Sequence, residues 1–137
     1  PAKRAFAMKT LLPPGWPRPK GYSNGIASPG RLIVTAGVVG WDSQEHFTSN
    51  TLAGQFEQVL KNIVAIIGED GAGPEHLVRL TCYVTSIEAY LASLAEIGEA
   101  WQRIIGRHYP TMALVEVVRL VEPQAMVEIE ATAVVEE

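Results

Sequence analysis

Cysteine is almost absent from this sequence, with Cys82 the only one. A lone cysteine excludes an intramolecular disulfide and any multi-cysteine metal site within one chain. Cys82 lies in an apolar run and reads as a buried small hydrophobe rather than a reactive thiol. Long apolar runs are missing too, and none approaches the ~20 residues that span a bilayer. The N-terminus carries Lys3 and Arg4 without the apolar segment of a signal peptide. The expectation is a cytoplasmic protein with no membrane partner. Basic residues are few and scattered, and the net charge is −4. A nucleic-acid binder normally presents a basic face or stripe, so no nucleic-acid partner is expected. Also missing are GxSxG, Walker, GxGxxG and HExxH patterns, which removes the commonest hydrolase, nucleotide and zinc fingerprints. His46, His76 and His108 stand at no metal-ligand spacing, so no metal is expected.

What is present suits one compact α+β domain. Hydrophobic residues make up 47% of the 137 and charged residues 19%, enough for a core and unlike a disordered chain. Residues 1–21 read as an extended arm, because the stretch 13–21 is too proline-rich for helix or central strand. A short strand at Met8–Leu12 is compatible with that arm. The domain proper, 22–137, opens with strands Tyr22–Ala27 and Arg31–Val38. The turn residues Ser28-Pro29-Gly30 between them suggest a hairpin. A polar loop over Gly40–Ser49 follows.

The period then changes. Leu52, Phe56, Val59, Leu60, Ile63 and Ile67 recur at spacings of three and four, predicting an amphipathic helix. Ser49, Asn50 and Thr51 offer N-caps, and Gly68 and Gly71 offer the stop. His76–Thr85 alternates as a strand. A second helix is signalled by Thr85 and Glu88, spaced as a capping box, with a stripe of Leu91, Leu94, Ile97, Trp101, Ile104 and Ile105 ended by Gly106. Gly98 inside it costs about 1 kcal/mol relative to alanine, which suggests close packing there. Strands Ala113–Val118 and Met126–Val135, joined through Glu122-Pro123-Gln124, close the order β-β-β-α-β-α-β-β.

Two such helices would cover one face of a mixed sheet. In the last strand Val127, Ile129, Ala131 and Ala133 suit that covered face, and Met126, Glu128, Glu130, Thr132 and Val134 point the other way. In the strand before it, Val115 and Val117 share one face, opposite Leu114, Glu116 and Val118. A second sheet face mixing Met, Leu, Val, Tyr and Glu is too apolar for simple exposure, and packing against other copies of the chain explains it.

Glu128 and Glu130 form a carboxylate pair on that face. Sealed by a partner, such a group would be desolvated and could move protons near neutrality; the alternative is a solvated strand edge. His46 sits in a loop with Trp41, Asp42 and Glu45, where lining a pocket competes with plain surface exposure. Pro1 could serve as an N-terminal base, or could simply be where methionine was removed.

Four stretches carry a resemblance. Tyr22-Ser23-Asn24-Gly25-Ile26 resembles a Tyr-Ser-Gln-Ala-Ile segment, and Val34-Thr35-Ala36-Gly37 a Val-Ser-Gly strand. Gln55-x-x-Gln58-x-Leu60-x-Asn62-Ile63, running on to Gly71 and Leu77-Val78-Arg79-Leu80-Thr81, follows a helix and the strand after it. The tail, Val115-Glu116-Val117-Val118-Arg119-Leu120 with Val127-Glu128-Ile129-Glu130-Ala131, is the most specific. Together they resemble the YjgF/RidA family of reactive-intermediate deaminases over about residues 22–134.

The resemblance implies a chorismate-mutase-like fold in which three subunits join their sheets into a barrel, with pockets at the subunit boundaries. It implies hydrolysis of enamines or imines to a carbonyl product and ammonia without metal or organic cofactor. Glu128 falls at the position that helps to place water and move protons, and Tyr22 and Gly37 at pocket-lining positions. Where the family carries Pro-x-Arg-Ser, with an arginine holding the substrate carboxylate, this chain reads Pro110-Thr111-Met112-Ala113. Arg119 matches a different family arginine, and a pocket asparagine of some members aligns with Ala95. The resemblance therefore points to an altered substrate, with Trp41, Met112, Ala113 and Leu114 shaping its site and Glu128 acting on it. A binding trimer without catalysis is the alternative. Cleavage of single-stranded RNA, ascribed to some relatives, fits the acidic charge less well.

Overall fold

The computed structural model describes residues 7–137. Pro1, Lys3 and Arg4 lie outside the described residues. The elements are β1 (Lys9–Leu11), β2 (Gly25–Ala27), β3 (Arg31–Val34), β4 (Val38–Val39), α1 (Leu52–Gly68), a 3-10 turn (Pro74–His76), β5 (Leu77–Val84), α2 (Ile87–Ala92), α3 (Leu94–Ile104), β6 (Thr111–Glu116) and β7 (Val127–Val135). The main sheet runs β3-β7-β5-β6, with β4 also paired to β7. Only the β5–β6 pairing is parallel within it. It is a mixed sheet covered by helices on one face, as the patterning requires.

The covered face is an alternation made solid. Val127, Ile129, Ala131 and Ala133 of β7 and Leu77, Leu80, Cys82 and Val84 of β5 are buried against Phe56, Val59, Leu60, Ile63 and Ile67 of α1. Helix α1 begins where expected, with the Thr51 hydroxyl accepting the Gly54 N–H at 3.1 Å. From α3, Ile97 and Trp101 complete the core.

Three expectations are corrected. Strands β2 and β3 do not form a hairpin; β2 pairs with β1 in a separate ladder, and β3 pairs with β7. The Ser28–Gly30 turn therefore passes the chain from one sheet to the other. Gly30 has φ +137°, and a Cβ there would lie 2.2 Å from the Val135 carbonyl oxygen. Only glycine lets the chain cross that closely before Arg31 pairs with Val135. Second, the expected single helix after β5 is two, broken at Ser93 (φ −109°, ψ 10°). The stripe does not continue through that break, and Leu91 and Leu94 are exposed. The cap is Ser86 rather than Thr85: the Thr85 N–H still donates to Met126 O just past the end of β5, and the Ser86 hydroxyl accepts the Ala89 N–H. The Glu116 carboxylate also accepts the Ile87 N–H at 2.9 Å. Third, Gly98 is not closely packed: a Cβ there would meet nothing within 4 Å.

Cys82 is fully buried, and burial pushes its thiol up to about 12 from an ordinary 9.0. The folded chain then keeps a proton that the unfolded chain releases above its ordinary value. This contribution to stability is complete below about pH 9 and is lost as pH rises toward 12. Between about pH 8 and 10.5, wild-type stability is expected to fall more steeply than that of Cys82→Ala, by about 1 kcal/mol per pH unit. Denaturant titrations at each pH measure the slopes, and equal slopes would show that the thiol is not shielded.

Candidate functional site

Glu128 owes its setting to an interruption in the neighbouring strand. Val34 pairs with Thr132, and Val38 pairs with Ile129. Thr35, Ala36 and Gly37 thus face only Glu130 and Ala131, an extra residue that makes a bulge and re-aims the chain. Thr35 holds the bulge together: its N–H donates to Ala131 O at 2.9 Å, and its hydroxyl accepts the Ala131 N–H at 3.0 Å. The Glu128 side chain then folds over Gly37. A Cβ on Gly37 would lie 2.0 Å from Glu128 Oε2, so the carboxylate occupies the space that glycine leaves.

The two carboxylates of the Glu-x-Glu pair are not equivalent. Tyr83 donates its hydroxyl to Glu130 Oε1 at 2.6 Å, and that bond holds the phenol above its ordinary pKa. Glu128 is half-buried and, among the described residues, has no hydrogen-bond or ion-pair partner. Its sheet face also carries Leu32, Val34 and Val115, which are 65%, 63% and 46% exposed. An open face this apolar around a free carboxylate is a surface suited to being covered.

Met112 lies on the other side of the sheet. In the parallel register it pairs with Leu80, and Leu114 pairs with Cys82; both partners are buried under the helices, and Met112 and Leu114 pack against the same core. Met112 borders a cavity of about 320 Å³ with Tyr22, Phe56, Tyr90, Trp101 and Tyr109. Ala113 pairs with Thr81 and so shares the Glu128 face. Within one chain, then, Gly37, Ala113 and Glu128 belong to the open face, and Tyr22, Met112 and Leu114 to the helix side.

Trp41 stands apart from both groups, packed on Phe47 at 5.7 Å between ring centroids. Its carbonyl accepts from Asn62 Nδ2 at 2.8 Å, which ties its loop to α1. In that loop the N–H groups of His46 and Gln44 hold the Asp42 carboxyl below its ordinary value. The histidines do not converge. His76 Nδ1 accepts the Gly73 N–H, and His108 Nε2 lies 2.6 Å from Leu77 O. Among the described residues no cluster of metal-ligating side chains occurs, and no helix is long and apolar enough to cross a membrane. Sequence reasoning missed Thr35 and Tyr83. Tyr83 could have been found from its register opposite the glutamates, whereas Thr35 acts through a bulge that alternation does not announce.

These features define an α+β protein of helix-backed mixed-sheet type, whose glutamate and aromatic cavity lie on opposite faces. Residues 17–135 match the family described as Endoribonuclease L-PSP. A RutC family protein of Synechocystis is 32% identical over 136 residues, covering 94% of this chain and 98% of the relative. Another from Pyrococcus abyssi is 28% identical over 129 residues, covering 93% and 98%. Among solved structures, a Rid-family protein of unknown function from Yersinia pestis superposes with a TM-score of 0.81 at 28% identity, covering 95% of this chain and 100% of that one. A YjgF/YER057c/UK114 family member from Mycobacterium tuberculosis gives 0.63 at 34% identity, covering 85% and 88%. The chain belongs to the YjgF/RidA family.

Proposed function

We propose that this protein hydrolyses a small enamine or imine to a carbonyl product and ammonia, in pockets completed between the subunits of a cytoplasmic homotrimer. The carrying observation is the unpartnered Glu128 carboxylate, cradled over Gly37 on an apolar open face. Covering the open face with another copy would desolvate that carboxylate, and the proposed pocket pairs it with Tyr22 and Met112 of a different subunit. No metal or organic cofactor is needed for the chemistry. Glu128 takes a proton from water as its oxygen adds to the C=N carbon, and the imine nitrogen gains a proton. The resulting carbinolamine collapses, breaking the C–N bond and releasing ammonia and the carbonyl compound. Tyr22, Gly37, Ala113 and Leu114 shape the space around this centre. Neither nucleic acid nor membrane enters the reading.

Met112 sets the substrate. An arginine holds a carboxylate by two parallel charge-assisted hydrogen bonds, and methionine offers none. Wild type is therefore expected to be poor on 2-aminoacrylate, and Met112→Arg to gain roughly tenfold to hundredfold on it. Ammonia and keto-acid release from 2-aminoacrylate generated in situ measures this. A folded Met112→Arg that gains nothing would remove Met112 from its specificity role. A binding trimer without catalysis predicts ligand binding with no ammonia release from any imine.

A further inference from the structure

We infer that the cavity beside Met112 receives an aromatic ring, so that the substrate carries an aryl group where relatives with the arginine hold a carboxylate. The inference deepens the proposed activity and rests on it for the identity of the reacting C=N group. The cavity itself supplies the rest.

Its volume is about 320 Å³, roughly twice that of the ~150 Å³ apolar cavity known to accept benzene. That leaves space for a ring and a short linker to the reacting carbon. Five of its twelve lining residues are aromatic. Trp101 and Tyr109 lie nearly parallel, 6° apart with centroids at 6.3 Å, and Phe56 and Tyr90 are 6.4 Å apart. The Trp101–Tyr109 pair is held in place: the Trp101 indole donates to His108 O at 3.1 Å, and Tyr109 OH accepts from Gln102 at 2.8 Å. Rigid ring edges and faces present the quadrupoles that favour offset or edge-on contact with another ring. Lys20 is the one fully charged side chain on the lining.

Gly98 is the sharpest sign that the space is kept open. It lines the cavity in the interior of α3, where glycine weakens a helix relative to alanine. No neighbour demands it, since a Cβ there would meet nothing within 4 Å. What glycine leaves at this position is volume, and that volume belongs to the cavity. Larger residues would project into it.

The test uses three ketones, the products expected of the corresponding imines: acetone, cyclohexylacetone and phenylacetone. They are titrated into the full chain by calorimetry, with the Trp101 indole followed by NMR. Phenylacetone is expected to bind roughly tenfold to hundredfold more tightly than acetone, as burial of a ring predicts, and more tightly than cyclohexylacetone through its contacts with the aromatic wall. Gly98→Leu, whose side chain fills the space, is expected to erase that advantage, with Gly98→Ala giving a partial loss. Equal affinity for all three overturns the inference, as does a groove already filled by a neighbouring copy that binds none of them. Cyclohexylacetone binding as tightly as phenylacetone overturns the aromatic assignment. A ketone series that behaves as expected, without ammonia release from the matching imines, sinks the deaminase reading alone. Turnover of acetone imine with no phenyl preference sinks this inference alone.

Discussion

Glu128→Gln is expected to lower ammonia release from a carboxylate-free imine by about two to four orders of magnitude, the usual contribution of a positioned acid–base group. The substitution is nearly isosteric, and among the described residues Glu128 forms no hydrogen bond or ion pair that the change could break. Folding and assembly should therefore survive, and the loss should fall on kcat. Glu130→Gln is the control. Its carboxylate is already bound to Tyr83, so activity should change by less than about tenfold. Gly37→Ala tests the cradle from the other side, because the new methyl would claim the space of Glu128 Oε2. It should cost activity by displacing the carboxylate, while Glu128→Gln costs it by removing proton transfer. Full activity in Glu128→Gln would end the assignment of chemistry to this residue.

Much of the fold was legible because its two periods are clean. The stripe of α1 and the alternation of β5 and β7 each have one consistent buried solution, and the residues chosen for the covered face are the ones buried there. Illegible features depended on close backbone approach. Nothing in Ser28-Pro29-Gly30 distinguishes a hairpin turn from a crossing between sheets; the contact of Gly30 with Val135 decides it. The break at Ser93 was hidden because Leu91 and Leu94 keep helical spacing while facing outward. For the site, the residue types were readable but their grouping was not. Met112 and Glu128 looked like members of one pocket, and strand register sets them on opposite faces of the sheet. That separation is what makes a pocket shared between copies the economical reading, since a single chain does not bring the two together.

A large loss of stability is expected at Gln55, a buried polar residue among apolar neighbours. It is 1% exposed, and its amide spans two loops. Nε2 donates to Ser49 O at 3.1 Å and Gln124 O at 2.9 Å, and Oε1 accepts the Met126 N–H at 2.8 Å. One side chain on α1 thus pins the segment before the helix and the turn that feeds β7, only two residues ahead of Glu128. Gln55→Leu keeps apolar bulk and strands all three partners, each costing about 1–3 kcal/mol when left unsatisfied in the interior. Because Gln124 can regain water, about 3 kcal/mol is the expected total, read as a lower urea midpoint at unchanged slope. Gln55→Glu separates hydrogen bonding from packing. It still accepts the Met126 N–H, but at neutral pH it sets carboxylate oxygen against two carbonyl oxygens. Protonation restores a donor, so burial should hold its folded-state pKa above the unfolded value. Relative to wild type, stability is then complete below the unfolded glutamate pKa and falls as pH rises through the folded one. A Gln55→Glu chain as stable as wild type at pH 7 would show that the amide is filling space and not holding the two loops.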